Sequence, residues 1–159
     1  MEQTQHAYAG FWMRLVAAVI DGVLIGIVNL IILVPFLGLV GLTAAARASD
    51  VDMGSEGAGL MIALLSTYLI SMLAVAVAGW LYFALMESSA RGATLGKMAL
   101  GLRVVDLNGN RIGFGRATGR YFGKIISSAI LFLGYIMAGF TQQKQALHDI
   151  MAGCLVVTT

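Results

Sequence analysis

Charged residues are scarce in this chain of 159 residues, since lysine, arginine, aspartate and glutamate together make up only 11% of it, while 59% is hydrophobic. A soluble domain carries about a quarter charged residues, so the charges here are too few to cover a water-facing surface. The mean hydropathy of +0.88 points the same way. The composition therefore excludes an ordinary soluble domain and favours a protein whose solvent is lipid.

Cysteine is nearly absent as well, because Cys154 is the only one, which excludes an intramolecular disulfide and a thiolate metal site. The first ten residues contain no lysine or arginine, and the apolar run after them is too long for a signal-peptide core, so no cleaved signal is expected. No serine or cysteine lies in a nucleophile elbow, and no histidine pair has zinc-ligand spacing. We therefore expect no enzyme, no cofactor and no metal.

Three apolar runs contain most of the hydrophobic residues, and they cover residues 11–42, 60–86 and 121–140. A helix needs about 20 apolar residues to cross the hydrocarbon core, and unpaired backbone groups are not tolerated in lipid. The runs therefore predict an all-α membrane protein, a small helical bundle of about three transmembrane segments in a single domain over residues 1–159. The third run has Gly134 near its middle and either crosses the membrane or re-enters it; its length favours a plain crossing.

The two loops between these runs differ in charge. Residues 43–59 hold Arg47 against Asp50, Asp52 and Glu56, whereas residues 87–120 hold six basic residues against two acidic ones. Short loops rich in lysine and arginine stay in the cytoplasm, so we expect a multi-pass protein of the cell membrane with the N-terminus and the basic loop inside. The anionic neighbours of the basic loop are then phospholipid headgroups of the bilayer, and no nucleic acid is expected.

Two motifs stand out in the basic loop. Asn108-Gly109 lies between β-branched residues, and this pair is a strong hairpin signal, so a short cytoplasmic β-hairpin is predicted between residues 102–107 and 110–114. The stretch GATLGKM, residues 92–98, resembles a phosphate-binding loop. Its spacing is one residue short and Met98 replaces the magnesium-binding hydroxyl, so no nucleotide site is expected there.

Arg14 and Asp21 place opposite charges in the first apolar run. Seven residues are close to two helical turns, so the two side chains share a face and lie about 10 Å apart along the axis. Arg14 can extend to the inner interface, but Asp21 lies deeper, where a centrally placed aspartate disfavours insertion by about 3 kcal/mol. Such a carboxyl is tolerated if it is protonated or paired with a cation, which makes Asp21 a candidate for proton or monovalent-cation handling. The alternative is a structural ion pair that holds two helices in register.

Other polar residues are candidates for a supporting role. Asn29 lies about two turns beyond Asp21 on the same predicted helix. Glu87 ends the second apolar run at about the depth of Arg14 if the two helices are antiparallel, which predicts a Glu87–Arg14 pair. Lys124 opens the third run and is expected to extend toward the interface.

Four segments resemble the RDD family of bacterial membrane proteins, which is named for one arginine and two aspartates. They are FWMRLVAAVIDGVLI, ESSARGATLGKMALGLRVVDLNGNRI, GRATGRYFGKII and QALHDIMAGCLVV, and they occur in the family's order. The resemblance implies a polytopic helical membrane protein and identifies Arg14, Asp21 and Asp149 as the name-giving residues. Cys154 departs from the family, which usually has threonine there, and we expect little consequence from this exchange.

Two functions follow from these candidates. The first is transport of protons or monovalent cations through an ion site of Arg14, Asp21 and Asp149, with His148 beside the site. Three helices are too few to enclose a pathway, so this requires a homo-oligomer or a membrane partner. The second is a non-transporting scaffold or accessory subunit in which the three charges form a structural clasp. A shared site also requires the third segment to return to the inner side, against the length argument.

Overall fold

The structure is a computed structural model that describes residues 7–48, 55–129 and 133–159. The first six residues, the acidic loop over residues 49–54 with Asp50 and Asp52, and residues 130–132 of the third apolar run lie outside the described residues. The predictions of an uncleaved N-terminus and of an outer acidic loop fall largely on these segments.

The described residues form a mostly helical protein, which confirms the predicted fold class. The long helices begin and end close to the first two apolar runs, and short elements follow. In chain order these are α1 (Phe11–Ala48), α2 (Ser55–Ser88), α3 (Leu95–Ala99), β1 (Leu102–Asp106), α4 (Phe114–Ala129), α5 (Leu133–Phe140), α6 (Leu147–Ala152) and β2 (Cys154–Thr158).

Two stretches, Phe11–Ala46 and Gly57–Ser88, are long and apolar enough to cross a membrane. The later part of the first stretch and most of the second belong to a compact unit of their own, Leu24–Gly79. Large apolar side chains in this unit face outward, as Leu30 (66% exposed) and Ile62 (69% exposed) illustrate. Outward-facing apolar side chains are unfavourable in water but suit a helix surrounded by lipid.

The third apolar run is not one straight helix. Phe114–Ala129 and Gly134–Phe140 are bent against each other by 98°, the geometry of a broken span or of a re-entrant loop. Gly134 allows the return, because a Cβ at this position would lie 2.7 Å from the side chain of Ser127. The bend brings the segment after α5 back toward the residues that precede α4.

The predicted hairpin is wrong in its second strand. Asp106 and Asn110 form the expected turn, and one isolated bridge joins Val105 to Arg111, but Phe114 already begins α4. The partner of β1 is instead β2, which runs antiparallel with Leu102 opposite Thr158. The C-terminal segment CLVVT is apolar and β-branched, and it can be buried on both faces, whereas residues 110–114 contain a glycine and a helix start.

This two-stranded sheet lies in the second compact unit, Met1–Val23 with Trp80–Thr159. Its core consists of small and branched aliphatic side chains and one cysteine: Ala9, Ala17, Ala84, Leu102, Val104, Ile112, Ala117, Cys154 and Val156. The chain just before α1 pairs with β2, since Ala9 N donates a hydrogen bond to Val156 O at 2.9 Å. The core therefore ties the start of α1 to the end of the chain.

Candidate functional site

Asp21 is 1% exposed, and three uncharged groups satisfy its carboxylate. The hydroxyl of Tyr82 donates to Oδ1 at 2.9 Å, the hydroxyl of Thr94 donates to Oδ2 at 2.5 Å, and the backbone N–H of Gly96 donates to Oδ1 at 2.7 Å. Hydrogen bonds of this kind satisfy the acceptor capacity of a buried carboxyl group and offset part of the cost of removing it from water. Asp21 therefore holds the first turn of α3 against α1, and no basic side chain among the described residues pairs with it.

Gly96 makes this contact possible. A Cβ at this position would lie 2.9 Å from Cγ of Asp21 and would also clash with the carbonyl of Ala17. The segment that resembles a phosphate-binding loop thus does present backbone and hydroxyl donors to an anion. The anion is the carboxylate of the chain's own Asp21.

Arg14 and Asp149 form an ion pair between Nη1 and Oδ2, so the structure brings together two of the three name-giving residues. Arg14 Nε also donates to the carbonyl of Ala9 at 2.9 Å, and the backbone N–H of Ala146 donates to Asp149 at 3.1 Å. Asp149 is fully buried at the start of α6. Burial alone would raise the pKa of this carboxyl, but Arg120 and Arg14 outweigh burial and hold its pKa well below the usual range.

Arg120 joins this pair to Glu87. Its Nε lies 2.6 Å from Oδ1 of Asp149, and its Nη1 lies 2.8 Å from Oε2 of Glu87. Both carboxylates and the Arg120 side chain are no more than 2% exposed, so the three charges depend on one another for solvation. Among the described residues Glu87 takes Arg120 and two lysines as ion-pair partners, in place of the predicted Arg14.

The two lysines contact Glu87 at different distances. Lys97 Nζ lies 2.5 Å from Oε1, whereas Lys124 Nζ lies 3.5 Å from the same atom and 4.1 Å from the ring centroid of Phe83. Burial lowers the pKa of Lys97 to about 7, and the nearby charge of Arg120 adds to this, although Glu87 opposes it. The ammonium of Lys97 is therefore more acidic than that of an exposed lysine.

His148 lies beside this network and is 4% exposed. Its Nε2 is 3.5 Å from Oδ1 of Asp149, its Nδ1 is 3.3 Å from the hydroxyl of Ser127, and its ring packs against Tyr135 with centroids 5.1 Å apart. Burial lowers the pKa of His148 to about 3 in spite of Asp149. The imidazole is therefore neutral at physiological pH, and it fills space against Gly123 rather than adding a charge.

A cavity of about 490 Å³ opens beside these charges. Seven ionisable side chains line it: Arg14, Asp21, Lys97, Arg120, Lys124, Tyr135 and His148. The rest of the wall is largely apolar and includes Phe11, Leu15, Ala18 and Ile136. The structure thus places five charged side chains around one space, within the unit that contains the start of α1 and the end of α2.

Asn29 belongs to the other compact unit, Leu24–Gly79, where it is half-buried, and its supporting role stays a prediction. Four residues of the site were not singled out from the sequence as site residues: Tyr82, Thr94, Lys97 and Arg120. Tyr82 and Thr94 carry no charge that would mark them in an apolar sequence, and the two basic residues enter the sequence analysis only through the charge of the basic loop. Arg120 carried a usable signal, since it lies in a segment of family resemblance at the start of an apolar run.

Comparison with known proteins agrees with the motifs. The sequence model of the RDD family matches residues 8–153. The chain belongs to the RDD family. A relative, the protein YxaI of Bacillus subtilis (strain 168), which is described as uncharacterized, is 38% identical over 149 residues, or 94% of this chain and 96% of YxaI. YteJ of the same organism, described as an uncharacterized membrane protein, is 33% identical over 98% of this chain and 84% of its own length.

No solved structure matches the chain. The family match and the two candidate spans establish an RDD-family membrane protein with apolar helices. The three residues behind the family name lie in one unit of the structure, but they divide into two groups. Arg14 and Asp149 belong to the ion-pair network, whereas Asp21 is bound by uncharged donors at the edge of the same cavity.

Proposed function

We propose that this RDD-family protein moves protons or monovalent cations across the membrane, with the cavity-lining charges as its ion site. The observation that supports this most directly is that Asp21, Lys97 and Lys124 all line one cavity of about 490 Å³. Ionisable residues at membrane depth are costly to bury, and in membrane proteins they commonly line ion or proton pathways.

The acidic and basic side chains of the site are called the charge cluster from here on, and their net charge suggests which proton is exchanged. Four basic side chains (Arg14, Lys97, Arg120 and Lys124) stand against three acidic ones (Asp21, Glu87 and Asp149), which leaves one positive charge when all are ionised. The pKa of Lys97 is about 7, so loss of its proton near neutral pH makes the cluster neutral. We assign the exchanged proton to Lys97.

A monovalent cation fits the same scheme. When Lys97 is deprotonated, Oε1 of Glu87 loses its nearest cationic partner at 2.5 Å, while Lys124 remains 3.5 Å away. A small cation that enters from the cavity can then replace the ammonium charge beside Glu87. Proton and cation would compete for one carboxylate, so that release of one accompanies binding of the other.

The role first predicted for Asp21 changes under this proposal. Its carboxylate accepts three hydrogen bonds and shapes the start of α3, which carries Lys97 one residue after Gly96. Asp21 is thus a positioning residue for Lys97, and the pair of Arg14 with Asp149 anchors the opposite side of the network.

Orientation and assembly belong to the same proposal. The basic loop over residues 87–120 favours a multi-pass protein of the bacterial inner membrane with the N-terminus in the cytoplasm. Two or three spans cannot enclose a pathway alone, so we propose a homo-oligomer or a complex with a membrane partner. No catalytic chemistry is assigned to the site, and the proposal is a non-enzymatic one.

Flux in proteoliposomes tests this proposal. Purified protein is reconstituted with a pH-sensitive dye inside, and a sodium or potassium gradient is applied. Lys97→Gln, which cannot carry a proton, and Lys97→Arg, which stays charged at neutral pH, should both abolish cation-driven proton movement. The matched control is Arg116→Gln, because Arg116 is 56% exposed and 3.7 Å from Asp106. Wild-type flux in both Lys97 variants would overturn the proposal.

A second function, a non-transporting scaffold or accessory subunit, is favoured by one observation. Each buried carboxylate already has protein donors, as Asp149 does with Arg14, Arg120 and the N–H of Ala146. Here the charges act as a clasp between helices, and the protein's partner is another membrane protein. Asp149→Asn would then lower the abundance and thermal stability of the protein, wild-type proteoliposomes would show no gradient-driven flux, and a partner would copurify in mild detergent.

A further inference from the structure

The basic side of the cavity has hydrogen-bonding capacity that the protein does not use. Nη2 of Arg14 is buried and has no hydrogen-bond partner among the described residues. Within the described part of the chain, the side-chain nitrogen of Lys124 makes long contacts, 3.5 Å to Glu87 and 4.1 Å to the ring centroid of Phe83. A buried guanidinium nitrogen without an acceptor is unfavourable, so an acceptor that enters from the cavity would stabilise it.

Apart from its ionisable side chains, the wall of the cavity is apolar. Phe11, Leu15 and Ala18 contribute one side from α1, and Ile136 contributes from α5. The volume of about 490 Å³ falls within the range of roughly 300–1,000 Å³ that is typical of small-molecule sites. A fully charged ligand such as a free phosphate would leave these apolar walls in contact with water, whereas an amphiphile would cover them.

We propose that the cavity binds an anionic phospholipid, with its phosphate between Arg14 and Lys124 and the first part of an acyl chain along Phe11, Leu15 and Ile136. A phosphodiester has two unbridged oxygens, so it can accept from Nη2 of Arg14 and from Nζ of Lys124 at once. Its negative charge balances the one excess positive charge of the cluster. Anionic phospholipids are also the anionic amphiphiles available at the inner surface of a membrane.

This inference does not depend on ion transport, because a scaffold protein could hold the same lipid as a structural component. It does link lipid binding to the charge cluster. A bound phosphate adds negative charge beside Lys97, Arg120 and Lys124, so it favours the protonated form of the Lys97 ammonium opposite Glu87. Binding should therefore weaken as the pH rises above 7.

Native mass spectrometry of the full-length chain in mild detergent can measure the lipid adducts. Equal amounts of phosphatidylglycerol and phosphatidylcholine are titrated, first alone and then with inorganic phosphate or with oleate as competitor. We expect a one-lipid adduct that favours phosphatidylglycerol and resists both competitors. Equal adducts with the two lipids would overturn the proposal. Displacement by inorganic phosphate alone would also overturn it, because the site would then be one for a free anion.

Variants with matched controls test separately how the basic residues and the apolar wall of the cavity contribute to lipid binding. Lys124→Gln should weaken phosphatidylglycerol binding by about fivefold, as expected for one basic residue beside an anionic lipid, whereas Arg116→Gln, on the same helix but 56% exposed and outside the cavity lining, should not. Ala18→Phe keeps every charge but fills the cavity and should remove the adduct. Ala74→Phe, at an exposed position of α2, is its control. The proposal fails if either cavity variant binds the lipid as its control does.

Discussion

In the unit Leu24–Gly79 the large side chains face outward and are apolar, whereas in the unit Met1–Val23 with Trp80–Thr159 several of the most buried side chains are charged. Glu87, Asp149 and Arg120 are all 2% exposed or less, while Leu30 and Ile62 are more than 60% exposed. The first arrangement is set by the solvent around each helix separately. The second exists only when several elements meet, because each charge is tolerated only beside its partner.

The contrast between the two units would fail most clearly if removal of the Arg120 side chain lowered the free energy of unfolding only slightly. Arg120→Met takes the shared cation from Glu87 and Asp149 and leaves both carboxylates buried with fewer donors. We expect a loss of about 3–5 kcal/mol in the free energy of unfolding, as for other broken buried ion pairs. A denaturant titration in mixed micelles measures it.

The control for Arg120 is Arg116→Met on the same helix. Arg116 is 56% exposed and its contact with Asp106 is 3.7 Å long, so its removal should cost about 1 kcal/mol or less. Equal losses for the two variants would mean that the buried network contributes no more than a surface ion pair.

A single type of substitution, leucine to alanine, compares apolar packing in the two units. Leu102 is 2% exposed in the core around the sheet, and Leu102→Ala should cost about 2–5 kcal/mol through the lost contacts and the cavity it leaves. Leu30 is 66% exposed, and lipid tails can replace the missing methyl groups, so Leu30→Ala should cost roughly 0.5 kcal/mol or less. The same titration in micelles distinguishes them, and a larger loss at Leu30 would show that its neighbour is protein and not lipid.

These differences explain what could be predicted from the sequence. The runs over residues 11–42 and 60–86 predicted α1 and α2 because apolar length is a local property of the chain. The partner of β1 was missed because the Asn108-Gly109 turn is a local signal, while pairing with Cys154–Thr158 depends on burial in the core. The Arg14–Asp149 pair joins residues 135 positions apart, and only the family resemblance indicated it.

The site around Asp21 shows the same division. The position of Asp21 within an apolar run predicts that it lies deep in a membrane helix and that another group must compensate its carboxyl group. The identity of that group was not readable, because hydroxyls and a backbone N–H leave no charge pattern in a sequence. Glu87 was assigned to Arg14 on depth alone, but Arg120 and Lys97 lie on elements whose positions depend on the bend after α4 and on the short helix α3.

Gly96→Ala tests the contact between α3 and Asp21. Its expected effect on stability is smaller than that of Arg120→Met or Leu102→Ala. The added methyl group would lie 2.9 Å from Cγ of Asp21 and against the carbonyl of Ala17, so α3 must shift away from α1. Overpacking of this kind costs about 1–3 kcal/mol. Gly119→Ala is the matched control, since a Cβ there has nothing within 4 Å and a helical alanine is neutral or slightly stabilising. Thermal unfolding in detergent compares the two, and equal melting temperatures would contradict the close packing of Gly96 on Asp21.

The smallest effect expected is the pH dependence that His148 adds to the charged unit. Burial lowers the pKa of His148 to about 3, from an ordinary value of 6.5, so between these values the unfolded chain binds more protons than the folded one. The free energy of unfolding therefore falls as the pH drops below 6.5, by up to about 1.4 kcal/mol per pH unit for one proton. The carboxyl of Asp149 has a lowered pKa, so its contribution to stability stays constant until the pH approaches the unfolded-state pKa of 3.8.

His148→Gln should therefore remove this slope from the plot of unfolding free energy against pH between pH 6.5 and 4.5. It should leave the slope above pH 7 unchanged, because Lys97 is present in both proteins. Parallel profiles over the lower range would mean that the imidazole reaches water in the folded protein, and the burial of this unit would then be less complete than its ion pairs require.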